Sequence, residues 1–128
     1  MSLLSLFALG KQLHAKSNSL RAAGAQAFGE VLKSNNTLII LDLSDNEIGM
    51  WSVGSKGYYG YKEHPTPEGP AALADGLKAN STVQQLDASS NGLGPEGAKA
   101  LAASIAKNST ITSVSPLFAM LFIFFFLF

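Results

Sequence analysis

Apolar positions along this chain follow two alternating rhythms. Leu41 and Leu43, and again Leu86 and Ala88, alternate with polar residues, the period of two that puts both side chains of a short strand on one face. Asn46 and Asn91 follow at the same offset, each where the chain must turn away from the strand, and an Asn amide can bond the turn's own backbone. Apolar residues at helical spacing come next: Pro70, Leu73, Ala74 and Leu77 in one unit, Ala98, Leu101, Ala102 and Ile105 in another.

The units share a register. Leu86 to Val114 is 28 residues, and the same step back from Leu41 lands on Leu13, which opens a third strand-and-Asn segment ending at Asn18. Its helical half carries Ala25, Phe28, Gly29 and Leu32. Leu41 to Leu86 is 45 residues, so this unit holds 17 extra, placed at Met50 to Thr66. The chain therefore divides into residues 1–12, a remnant of a preceding repeat or an N-terminal cap; residues 13–115, about three repeats with an insertion at 50–66; and an apolar C-terminal tail at 116–128. The fourth strand pattern breaks down at Val114, Ser115 and Pro116.

Local chemistry agrees. Pro95 and Glu96 suit a first helical turn, where a missing N–H costs little and a carboxylate meets the positive dipole end. Asn35, Asn80 and Asn108, each with a Lys one or two residues before it, read as left-handed helix C-caps. Gly29, Ala74 and Ala102 are expected to bring helices close to strands. Asn18, Asn46 and Asn91 are expected to stack as a ladder across the repeats.

A strand, an Asn-marked turn and a returning helix in 28 residues resembles the leucine-rich repeat, in particular its ribonuclease-inhibitor-like class, which includes repeats of NOD-like receptors and Ran GTPase-activating proteins. The resemblance runs from Leu13 to Val114. It implies an α/β fold, a short solenoid with parallel strands on the concave face and helices on the convex face. Ala15 and Ala88 stand where the pattern usually has a second Leu.

Composition narrows the function. The chain has 128 residues, nine basic and nine acidic side chains and no cysteine, so it offers neither a disulfide framework nor a clustered basic stripe for nucleic acid. Gly92 to Gly97 spells a glycine-rich dinucleotide pattern, but Pro95 removes a backbone donor and Glu96 puts negative charge where a pyrophosphate would sit. The near P-loop at Gly49 to Lys56 has Ser and Lys in the wrong order. Three glycosylation-type sequons at Asn35, Asn80 and Asn108 coincide with the helix ends and are explained by capping. His14 and His64, the two histidines, are far apart in the pattern, so neither a metal site nor a histidine-based triad is expected, and no cofactor.

Both chain ends are apolar. Leu3 to Leu9 reads as the remnant of a preceding repeat helix, with Leu4 one period before Leu32; a signal peptide is the alternative, although the run barely reaches the length of its core and no basic residue precedes it. Leu117 to Phe128 as a helix spans about 18 Å, short of a hydrocarbon core of roughly 30 Å. A gene-prediction artefact, a membrane-associating tail and a cap on an open solenoid end remain alternatives for it.

Two surfaces are candidates for function. Outward strand positions place Gln12, His14 and Lys16, then Ile40, Asp42 and Ser44, then Gln85, Asp87 and Ser89 on the concave face, with Asp42 beside Asp87. The insertion carries Trp51, Tyr58, Tyr59 and Tyr61 among glycines; it is expected to be a disordered surface segment, with an aromatic binding loop as the alternative. The function expected is a non-catalytic, cytoplasmic protein-interaction module, a fragment of a longer array, that binds a protein partner rather than nucleic acid or a small molecule. A GTPase-regulating and a membrane-tethered repeat protein are the alternatives.

Overall fold

The computed structural model describes residues 11–54 and 60–115. The apolar N-terminal run, Tyr58, Tyr59 and the C-terminal tail lie outside the described residues. The elements run β1 (Gln12–His14), α1 (Arg21–Ser34), β2 (Ile40–Asp42), β3 (Met50–Val53), β4 (Lys62–Pro65), α2 (Glu68–Ala79), β5 (Gln85–Asp87), α3 (Gly94–Lys107) and β6 (Ser113–Val114).

β1, β2, β5 and β6 form one parallel sheet in that order. Leu13 pairs with Leu41, Leu41 with Leu86, and Leu86 with Val114, so the 28-residue step and its lengthened middle version are both strand registers. The fourth strand, where the sequence pattern fails, still forms. Parallel pairing needs only backbone groups and one inward apolar side chain, and Val114 supplies the latter by packing against the core.

The core lies between the sheet and the helices. Leu41, Leu43, Leu86 and Ala88 from the strand segments meet Phe28, Leu32, Leu73, Leu77, Leu101 and Ile105 from the helices in one buried cluster. Every residue of the three predicted helical stripes is buried. None of the units could bury this surface alone, which is why consecutive units must stack.

Gly29 corrects the expectation that small residues let helices approach strands. A side chain there would run into the backbone of Ala72 in α2, and one at Gly76 would come within 2.5 Å of the Gly29 carbonyl oxygen. The two glycines face each other and bring helix against helix.

The helix ends correct a second expectation. Asn35, Asn80 and Asn108 have φ values of −73°, −83° and −82° with extended ψ, not left-handed ones. Their side chains do the capping instead. Asn80 Oδ1 accepts from the N–H groups of Thr82 and Val83 while its Nδ2 donates to the carbonyls of Leu32 and Asn35 in the preceding repeat. Asn108 repeats this with Thr110, Ile111, Leu77 and Asn80. The Nδ2 atoms at Asn80 and Asn108 are thus committed to the fold, which accounts for those two sequons.

The insertion departs most from expectation. Its two ends form an antiparallel hairpin, β3 with β4, in which Trp51 pairs with His64. Its base is clipped to the preceding turn: Thr66 N–H donates to the Gly49 carbonyl at 2.9 Å and Thr66 Oγ1 to the Ile48 carbonyl at 3.0 Å. Among the described residues no helix is long and apolar enough to cross a membrane.

Candidate functional site

The turn after each strand is built by Asn. The N–H of Asn18 donates to Asn46 Oδ1 at 2.8 Å, and the N–H of Asn46 donates to Asn91 Oδ1 at 2.8 Å. Asn46 Nδ2 bonds the carbonyls of Leu43 and Ser44 in its own turn and of Ala15 in the previous one, and Asn91 does the same with Ala88, Ser89 and Leu43. The expected ladder is present, and it fixes the spacing of the strands that carry the outward side chains.

Those side chains form straight rows on the side of the sheet opposite the core. Gln12, Ile40, Gln85 and Ser113 share one register level, and His14, Asp42 and Asp87 share the next. All of these but Gln12 line an open hollow of about 290 Å³. Gln12, His14, Lys16 and Gln85 are exposed, while Ile40, Asp42, Asp87 and Ser89 are half-buried.

Ser44 does not sit as expected. It is 4% exposed, and its hydroxyl donates to Asp42 Oδ1 at 2.6 Å while its N–H donates to the same oxygen at 3.0 Å. Ser89 repeats both bonds on Asp87. Past the strand end the alternation no longer holds, and a hydroxyl two residues beyond a carboxylate folds back onto it. Ser44 and Ser89 therefore position the two aspartates. Burial raises the Asp42 carboxyl, but the two Ser44 bonds, with His14 and Lys16 nearby, outweigh it and hold the group below the usual carboxylate range. His14 and Lys16 beside Asp42 make this face mixed in charge rather than uniformly acidic.

A second cluster lies where the hairpin meets the first repeat. Trp51 and His64 stack with ring centroids 4.1 Å apart and planes 13° from parallel, and the Arg21 guanidinium lies 4.4 Å from the centre of the Trp51 ring. Arg21 Nε is paired with Glu47 at 3.1 Å. Trp51 was a candidate; Arg21, Glu47 and His64 were not. Tyr61 is half-buried and its hydroxyl donates to Glu63 at 3.2 Å. Nothing in the alternation of residues 62–65, with Pro65 inside, marks a strand, so the sequence carried no signal that would face His64 with Trp51. Among the described residues no group of three or more potential metal ligands exists.

This architecture defines a class. A strand, an Asn turn and a helix stacked in register are leucine-rich repeats, and the leucine-rich-repeat family model matches residues 34–49 and 79–102, the stretches around β2 and from the end of α2 into α3. The chain is a repeat protein of this kind. It is similar to the chicken (Gallus gallus) leucine-rich repeat-containing protein 45, with 34% identity over 92 residues, 72% of this chain. The chain spans 12% of the length of that relative.

Proposed function

We propose that the chain is a non-catalytic protein-interaction module of the ribonuclease-inhibitor-like class, which holds a protein partner on the open, concave side of its sheet. The observation that carries this reading is the pair of outward rows, Gln12–Ile40–Gln85–Ser113 and His14–Asp42–Asp87, in which Gln12, His14, Gln85 and Ser113 are exposed beside an open hollow. Rows at a fixed strand spacing present donors, acceptors and both charge signs on a hydrogen-bonded sheet, so little backbone entropy is lost on binding. Helices of 14, 12 and 14 residues, one per repeat, favour the ribonuclease-inhibitor-like class. Trp51 and Tyr61 on the hairpin extend the surface with rigid aromatic area.

A photo-crosslinking residue in place of Gln85, on the open face, and another in place of Gln26, on the exposed side of α1, test this in cells. Partner adducts from position 85 and none from position 26 are expected, with the yield reduced by D42K and D87K together. Adducts from position 26 alone would place the interaction on the helices and overturn the reading. A GTPase among the position 85 adducts would extend it to Ran GTPase-activating-like regulation.

A further inference from the structure

Asn91 and Gly92 form the only Asn–Gly pair in the chain, and they occupy a rung of the buried ladder. Asparagine is thermolabile, and a following glycine leaves the attacking backbone nitrogen unshielded by any side chain. We infer that Asn91 is a spontaneous deamidation site that the folded third repeat protects and that reacts when this repeat opens.

In the reaction, the deprotonated backbone nitrogen of Gly92 attacks Asn91 Cγ. A nitrogen–carbon bond forms, the Cγ–Nδ2 bond breaks and ammonia leaves, which closes a cyclic imide. Water then adds to either imide carbonyl and opens the ring, to aspartate or to isoaspartate, in which the main chain runs through the side-chain carbon. No oxidant, reductant or enzyme is required.

The fold blocks the first step. Asn91 is 2% exposed. Its Nδ2 donates to the carbonyls of Leu43, Ala88 and Ser89 at 2.9, 3.0 and 3.1 Å, and its Oδ1 accepts from the N–H groups of Asn46 at 2.8 Å and Ile48 at 3.4 Å. Turning Cγ toward the Gly92 nitrogen breaks these bonds inside a site closed to water. Reaction therefore proceeds through local opening, the low-energy end of the unfolding spectrum.

Loss of ammonia makes conversion one-way, and the same bonds make it costly to the fold. An aspartate there would present a charged oxygen to three carbonyl oxygens that now receive N–H donors, and isoaspartate would add a backbone atom within the turn. The two other rungs, Asn46 before Glu47 and Asn18 before Ser19, have side chains that shield the following nitrogen. The third repeat thus carries the fastest-reacting rung once it is open, and each opening that ends in reaction removes the Asn91 rung.

The test is peptide mapping by mass spectrometry, with isoaspartate detection, on the intact chain kept in mildly alkaline buffer and in guanidinium chloride. In denaturant Asn91 should convert several-fold faster than Asn46, and in buffer its rate should fall by about a hundredfold. Equal rates at Asn91 in the two solutions, or no preference for Asn91 over Asn46 in denaturant, would overturn the inference. Direct substitution N91D separates the second claim: it should lower Tm and part of the far-UV signal, and a wild-type melt would show that conversion does not harm the fold.

Discussion

The repeat stack and the inserted hairpin are joined to the same turns but held by different physics. In the stack, the Asn46 and Asn91 rungs are buried and each serves two repeats at once, and equivalent backbone bonds recur, as in Ala15 N–H to Asp42 and Leu43 N–H to Asp87. Breaking one rung strands groups on both sides. The hairpin is held by single-copy contacts near the surface: the Arg21, Trp51 and His64 stack, an ion pair at 3.1 Å and the Thr66 clip. Val53 on it is 49% exposed. Repetition makes the stack cooperative, whereas the hairpin can change without the rest.

The largest expected effect breaks a rung. Asn46 is fully buried, and its amide satisfies three carbonyls and accepts from Asn18 and Leu20. N46A leaves these backbone groups without partners and should cost about 3 kcal/mol or more, read as the drop in ΔG from guanidinium unfolding. A loss below about 1 kcal/mol would show that water replaces the amide and that the ladder is not what joins the repeats.

G76A comes next. In an ordinary helix the change from Gly to Ala stabilises by about 1 kcal/mol, but here the new methyl would stand 2.5 Å from the Gly29 carbonyl oxygen and 2.7 Å from its Cα, both backbone atoms with little room to move. The sign should reverse, with a loss of about 1–3 kcal/mol seen as a lower Tm. A raised Tm would mean that α1 and α2 separate at little cost.

How far the sequence revealed this structure follows the same division. Leu13, Leu41 and Leu86 became register partners, and Asn18, Asn46 and Asn91 a ladder, because periodicity identifies equivalent residues and equivalent residues must stack. Periodicity does not say which neighbour a residue faces. Gly29 therefore turned out to meet a helix rather than a strand, and Asn80 to cap through its side chain rather than through a left-handed backbone. Ser44 was misplaced because the two-residue alternation stops at Asp42, the end of β2. Features present once have no second copy to be read against, and the pairing of Trp51 with His64 is of that kind.

The hairpin contrast is sharpened by R21A. Removing a cation from an exposed aromatic face and from an ion pair of similar exposure should cost no more than about 1 kcal/mol, while the emission of Trp51, the chain's single tryptophan, shifts. A Tm loss as large as that of G76A would make the hairpin part of the cooperative unit.

A pH series on S44A separates the face from the ladder. The Asp42 carboxyl is lowered in the folded chain, so its contribution is complete above the ordinary carboxylate range and disappears as pH falls through the lowered value. The variant should lose about 0.5–1 kcal/mol near neutrality, less in acid, because Asp42 is half-exposed and protonation weakens the charged bond in both proteins. A deficit that stays constant with pH would mean that the hydroxyl acts by packing alone.

The smallest effect concerns backbone conformation shared by all three turns. Ser19, Glu47 and Gly92 are equivalent positions, and all three adopt left-handed φ values of 49°, 57° and 58°. Only the third repeat fills this position with the residue that has no Cβ penalty there. A non-glycine residue in this region costs about 1–2 kcal/mol, and glycine returns about 0.5–1 kcal/mol of that through the greater freedom of the unfolded chain. S19G should therefore stabilise by a few tenths of a kcal/mol to about 1 kcal/mol, since Ser19 is exposed. E47G removes the same strain but also the partner of Arg21, so it should gain less. If S19G instead lowers Tm, the first turn is held by bonds strong enough that its left-handed residue is not strained, and Gly92 has some other reason to be glycine, such as its close approach to Met50.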